Sequence, residues 1–82
     1  MLTGYELSFS QFERLLTVPS HQPTTAEFLS QWYGYKLHTV AGETSVRSTA
    51  GTRIDPKALF DEIQSKPAQQ FDLYQRAMNL WR

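Results

Sequence analysis

The chain has 82 residues, no cysteine, and eight basic side chains balanced by eight acidic ones. That length encloses one core, so a single domain over 1–82 is expected, and thiol catalysis, thiolate metal sites and disulfide bracing are all excluded. No apolar run reaches membrane-spanning length, and zero net charge argues against a nucleic-acid binder that works by bulk charge alone.

Four helices can be read from their ends. The first opens at Ser8, whose hydroxyl can cap exposed amides while Gln11 reaches back, with Leu7 and Phe12 at hydrophobic-staple positions. Phe9, Phe12, Leu15 and Leu16 form its apolar stripe, and Pro19 stops it. In the linker TVPSHQP, His21 is expected to be an exposed loop residue. The second helix is predicted from a Thr24–Glu27 capping box, with Phe28, Leu29, Trp32 and Tyr33 on one face and Trp32 in the core. Gly34 is its natural stop.

Residues 35–54 read two ways. YKLHTV is β-branched or aromatic and SVRS can return after AGET as a hairpin, yet the same residues suit a short helix followed by an irregular loop. Asp55 and Pro56 then cap and open the third helix, Ile54 staples onto Leu59, and Leu59, Phe60 and Ile63 form the buried face. Pro67 opens the fourth helix. There Phe71, Tyr74, Met78 and Trp81 recur at helical spacing beside a second stripe of Leu73, Ala77 and Leu80, an arc wide enough to close the core and to offer some area to a partner. The predicted fold is mainly α: four short helices, with a β-hairpin or irregular loop between the second and third.

Ser30, Gly34 and Val40 stand at the spacing of a small residue, a turn glycine and an anchor, and over some twenty residues this resembles a helix-turn-helix. That resemblance implies DNA binding through residues 24–48. Gly42 and Glu43 depart from the pattern, because they place a glycine and a charge inside the recognition helix. The charge distribution is uneven in a way that bears on this. Arg14 faces Glu6, Glu13 and Glu27 in the first 33 residues, whereas Lys36, Arg47, Arg53 and Lys57 outnumber Glu43 and Asp55 over 34–57. Lys36, His38, Thr39, Arg47 and Arg53 are therefore the candidate contacts to nucleic acid or phosphate. The hydroxyl-rich loop GETSVRSTAGTR offers Arg47 and Arg53 as forks for a carboxylate or phosphate, although no P-loop is present.

Enzymatic motifs are missing. There is no Gly-x-Ser-x-Gly elbow, and His21 and His38 have no metal-binding spacing. No cofactor is expected. Tyr35, Tyr74, Met78 and Trp81 are the candidate partner-binding residues, since tyrosine and tryptophan bury large area with few rotatable bonds. The expected function is that of a small non-enzymatic regulator or adaptor that binds a protein partner or self-associates. DNA binding is the alternative. The opening MLTGYELSFSQF lacks the basic and apolar regions of a signal peptide, so a cytoplasmic protein is expected.

Overall fold

The computed structural model describes residues 7–81; Glu6 and Arg82, which enter the charge balance, lie outside them. The elements run α1 (Phe9–Thr17), α2 (Gln22–Tyr33), β1 (Lys36–Val40), β2 (Glu43–Arg47), β3 (Arg53–Ile54), α3 (Pro56–Gln64) and α4 (Pro67–Leu80). Among the described residues four helices thus carry the fold, and an antiparallel sheet of order β1-β2-β3 stands between the second and third. No helix among the described residues is long and apolar enough to cross a membrane.

The helix ends explain most of this layout. Ser8 accepts from the Gln11 amide while its own amide donates to the Gln11 side chain, completing the capping box. Asp55 accepts from the Ala58 amide ahead of Pro56. The second helix starts three residues earlier than its Thr24 box predicts, with His21 and not Thr24 at the N-cap. Pro23 lies in its first turn, His21 precedes it, and Thr25 is buried in the helix, its hydroxyl donating to the Leu15 and His21 carbonyls. That hydroxyl ties α2 to α1, and this tertiary bond outweighs the local capping signal.

At the other end of α2, Gly34 adopts a left-handed φ of 74°, and its amide and that of Tyr35 close onto the Ser30 and Leu29 carbonyls. The next element is a strand, so residues 24–48 hold one helix and a hairpin, not the helix pair that the glycine spacing suggests. Ala41 and Gly42 both have positive φ (53° and 83°), as a two-residue type I′ turn requires. Val40, expected as an apolar anchor, is 58% exposed beside that turn.

The core is continuous. Phe12, Leu15 and Leu16 of α1, Phe28 and Leu29 of α2, Val46 of β2, Leu59, Phe60 and Ile63 of α3, and Leu73 and Ala77 of α4 are all buried. Phe9, Phe12 and Phe60 meet with ring centroids 5.3–6.4 Å apart, within the range of favourable aromatic pairs. In α4 it is therefore the Leu73–Ala77 stripe that enters the core, while Tyr74, Met78, Leu80 and Trp81 pack half-buried along its edge.

Trp32 departs from expectation. It is 39% exposed, with its indole N–H donating to Asp72 at 2.6 Å. An indole N–H needs an acceptor, and here Trp32 finds it at the surface in Asp72, linking α2 to α4.

Candidate functional site: the outward face of the sheet

Pairing register decides which strand residues share a face. Lys36 stands opposite Arg47, Leu37 opposite Val46, His38 opposite Ser45, Thr39 opposite Thr44 and Val40 opposite Glu43. On the other flank of β2, Val46 pairs with Ile54 and Arg47 with Arg53. Because side chains alternate along a strand, Leu37, Val46 and Ile54 point together into the core, and Lys36, His38, Val40, Glu43, Ser45, Arg47 and Arg53 point together outward. Burial follows this division: Val46 is 1% exposed, and Gln22 of α2 donates to Thr44 on the inner side.

The consequence is a row of three cations, Lys36–Arg47–Arg53, on three adjacent strands. With neighbouring strands about 4.8 Å apart, the row spans roughly 10 Å. Four of the five candidate phosphate contacts thus share one face, Lys36, His38, Arg47 and Arg53. Thr39 points to the other side, its hydroxyl 3.1 Å from that of Thr44. The sequence offers Lys36, His38 and Arg47 by way of a recognition helix and Arg53 by way of the hydroxyl-rich loop; the sheet assembles them by cross-strand register instead.

Two shallow grooves lie on this face. One, of about 580 Å³, is bordered by Lys36, His38, Arg47, Ser48, Thr49 and Gly51. The other, of about 240 Å³, runs past His38, Ser45, Arg47 and Arg53 to Val40 and Glu43 near the hairpin tip. The Ser48–Thr52 turn shapes the first. Ser48 and Thr52 bond through the Ser48 amide and again through the Ser48 hydroxyl, and the Gly51 amide closes onto the Ser48 carbonyl. Gly51 has φ 87°, which favours glycine, and its carbonyl accepts from Arg47 Nη1 at 3.1 Å. Arg47 Nε is buried with no hydrogen-bond partner.

Cations elsewhere are held differently. Lys57 pairs with Asp61 at 3.0 Å and lies over Phe9 and Phe60; Lys66 pairs with Glu62 at 3.2 Å and lies over Tyr33. Arg76 bonds Glu27 at 2.6 Å and Asp72 at 3.2 Å, donates to Gln31, and covers Phe28. Burial alone would lower the Arg76 pKa, but its bonds to Glu27 and Asp72 raise it. Arg14 sits over the Trp81 ring, 5.2 Å from its centroid. Among the described residues, Lys36, Arg47 and Arg53 have neither a carboxylate partner nor an aromatic ring beneath them.

The candidate partner-binding aromatics are occupied within the chain. Trp81 is half-buried, edge-on to His21 at 5.8 Å, with Arg14 above it and its indole nitrogen buried without a partner. His21, expected to be exposed, is 8% exposed because Trp81 covers it. Nothing local to a proline-flanked linker could signal a contact made sixty residues away. Tyr35 stacks on Tyr33 with ring centroids 5.2 Å apart, and Tyr74 and Met78 pack against the core. The Tyr33 hydroxyl bonds to Gln69, and its pKa is pushed up to about 12, chiefly by burial and then by the nearby Glu62 carboxylate.

Comparison with protein-family models, with curated proteins and with solved structures gives no match.

Proposed function

We propose that this chain is a small non-catalytic binding module, a regulator or adaptor, that engages a negatively charged macromolecular partner through the outward face of its sheet. One observation carries the reading. The helical cations are neutralised by carboxylates or lie on aromatic rings, whereas Lys36, Arg47 and Arg53 stand side by side with neither. Like charges placed directly opposite each other in a sheet destabilise it, so such a row is a cost to the free protein that an anionic partner removes. The tightly knit helices supply a rigid base, and the sheet supplies the contact.

Two double variants of equal net charge test this. At neutral pH and low salt, a protein with zero net charge should still be retained on a sulfonate cation exchanger if its cations are concentrated on one face. Lys36→Ala/Arg53→Ala should elute at clearly lower salt than Lys57→Ala/Lys66→Ala. Identical elution of the two would remove the reading, because it would leave the sheet face no different from the rest of the surface.

A further inference from the structure

We infer that the anionic partner is the phosphodiester backbone of a nucleic-acid duplex, with one phosphate seated in the groove between Lys36 and the Ser48–Gly51 turn. This rests on the binding-module reading above and names the chemistry of its partner.

The groove is suited to an oxyanion. Lys36, His38, Arg47, Ser48 and Thr49 line it beside Leu37 and Gly51, and no acidic residue is among them. The Ser48 hydroxyl oxygen already accepts from the Thr52 amide, which leaves its proton free to donate outward. Among the described residues the Thr49 amide has no hydrogen-bond acceptor. Arg47 is anchored by one bond from Nη1 to the Gly51 carbonyl; its Nε is buried out of a ligand's reach, and Nη2 has no hydrogen-bond partner among the described residues. An arginine fixed in place with donors uncommitted is preorganised for a phosphate or carboxylate. Its cross-strand neighbours Lys36 and Arg53 extend the positive potential to either side.

The rest of the face selects among polyanions. Protein interfaces draw their affinity from aromatic and aliphatic anchors seated in pockets. The outward residues here include one apolar side chain, Val40, at the hairpin tip next to Glu43. Nucleic-acid interfaces are polar and positive, as this face is. Binding of single strands relies on aromatic platforms for unstacked bases. The face has no phenylalanine, tyrosine or tryptophan; Tyr35 is stacked on Tyr33 instead. What remains is contact with the backbone of a duplex, led by charge and tolerant of sequence. Glu43 repels phosphate at the tip, so the contact lies toward the Lys36, Arg47 and Arg53 end.

The test is fluorescence anisotropy of the whole chain with a labelled mixed-sequence DNA duplex of about 20 base pairs, read as a function of salt. Three phosphate contacts predict a log–log salt slope of about −2.7, or roughly a forty-fold loss of affinity between 50 and 200 mM salt. Lys36→Ala and Arg53→Ala should each flatten that slope by about 0.9, and Lys57→Ala should leave it unchanged. Poly-L-glutamate at matched charge should fail to displace the duplex, and the single strand should bind more weakly.

Several results overturn the proposal. Displacement by poly-L-glutamate would assign the face to an acidic protein. Equal or tighter binding of the single strand would refute the duplex. Duplex binding insensitive to Lys36→Ala and Arg53→Ala would place it elsewhere. Absence of duplex binding in a protein that is still retained on the exchanger through these residues would refute this inference alone, and loss of both would refute the module as well.

Discussion

Basic side chains in this molecule divide by layer. In the helical layer, Arg14, Lys57, Arg76 and Lys66, the N-cap residue of α4, each lie over an aromatic ring, and the last three also meet a carboxylate. In the sheet, Lys36, Arg47 and Arg53 face one another across strands. Helical spacing brings residues i and i+4 together, so a chain can pair Lys57 with Asp61 or Glu62 with Lys66 through local sequence alone. A sheet brings together residues that are distant in sequence, and here it brings together like charges. The difference separates charge that holds a fold from charge available to a partner.

That contrast can be broken from the helical side first. Phe28 is fully buried beneath Arg76, and Phe28→Ala should cost about 4 kcal/mol, close to the whole stability of so small a domain. A urea transition still present near the wild-type midpoint would refute a core centred on α2. Next, Arg76 is 18% exposed and joins α4 to Glu27 and Gln31 of α2. Arg76→Ala should lower stability by about 2 kcal/mol in urea unfolding, with the cation-exchange elution of the sheet face unaltered.

Trp81 gives a finer test. Trp81→Ala removes a ring that covers His21 and supports Arg14, and should cost about 1.5 kcal/mol by thermal or urea unfolding. Trp81→Phe should cost less than about 0.5 kcal/mol, because it keeps a ring under Arg14 and deletes a buried N–H that has no acceptor. An undiminished unfolding midpoint for Trp81→Ala would return this residue to the surface and to partner binding.

The sheet should respond in the opposite sense. Arg53→Ala relieves a like-charge opposition with Arg47 and should leave stability unchanged or raise it by about 0.3 kcal/mol. A loss of 1 kcal/mol or more would mean that Arg53 holds the fold and would erase the contrast. The smallest effect is a pH dependence. Burial and the Glu62 carboxylate push the Tyr33 hydroxyl up to about 12 from 10.0, so folding favours its neutral form. Stability from this group is fully present below pH 10 and falls as pH rises from 10 to 12, where the unfolded chain loses the proton first. Tyr33→Phe should flatten the fall of the urea midpoint over that range.

Much of the helical layer was legible because its signals are local. Ser8 with Gln11, Asp55 with Pro56, Gly34 and Pro67 mark ends through backbone chemistry that neighbours decide, and Leu59, Phe60 and Ile63 are buried as their spacing predicts. What escaped was tertiary. Trp32 has a core phase but reaches Asp72 at the surface, and His21 has a loop address but lies under Trp81. The sheet face was half legible. Its residues could be selected as cations in a basic stretch, yet their common face depends on a two-residue turn at Ala41–Gly42 and on pairing with β3, two residues long and announced by no pattern. Had the turn held one residue more, Lys36 and Arg47 would have left each other's side.

β1 is the longer of the two outer strands of the sheet, β3 being the other, and that position gives Lys36 a second consequence. Strand rims left open invite stacking with copies of themselves, and a lysine on the rim is a common deterrent. Between Lys36 and the turn, the rim carries Leu37, His38, Thr39 and Val40, without an acidic side chain or a proline. The same ammonium that would greet a phosphate therefore also keeps neighbouring molecules apart. Selection for weaker attachment to a polyanion is therefore expected to act at Arg53, on the opposite rim that is two residues long, before it acts at Lys36.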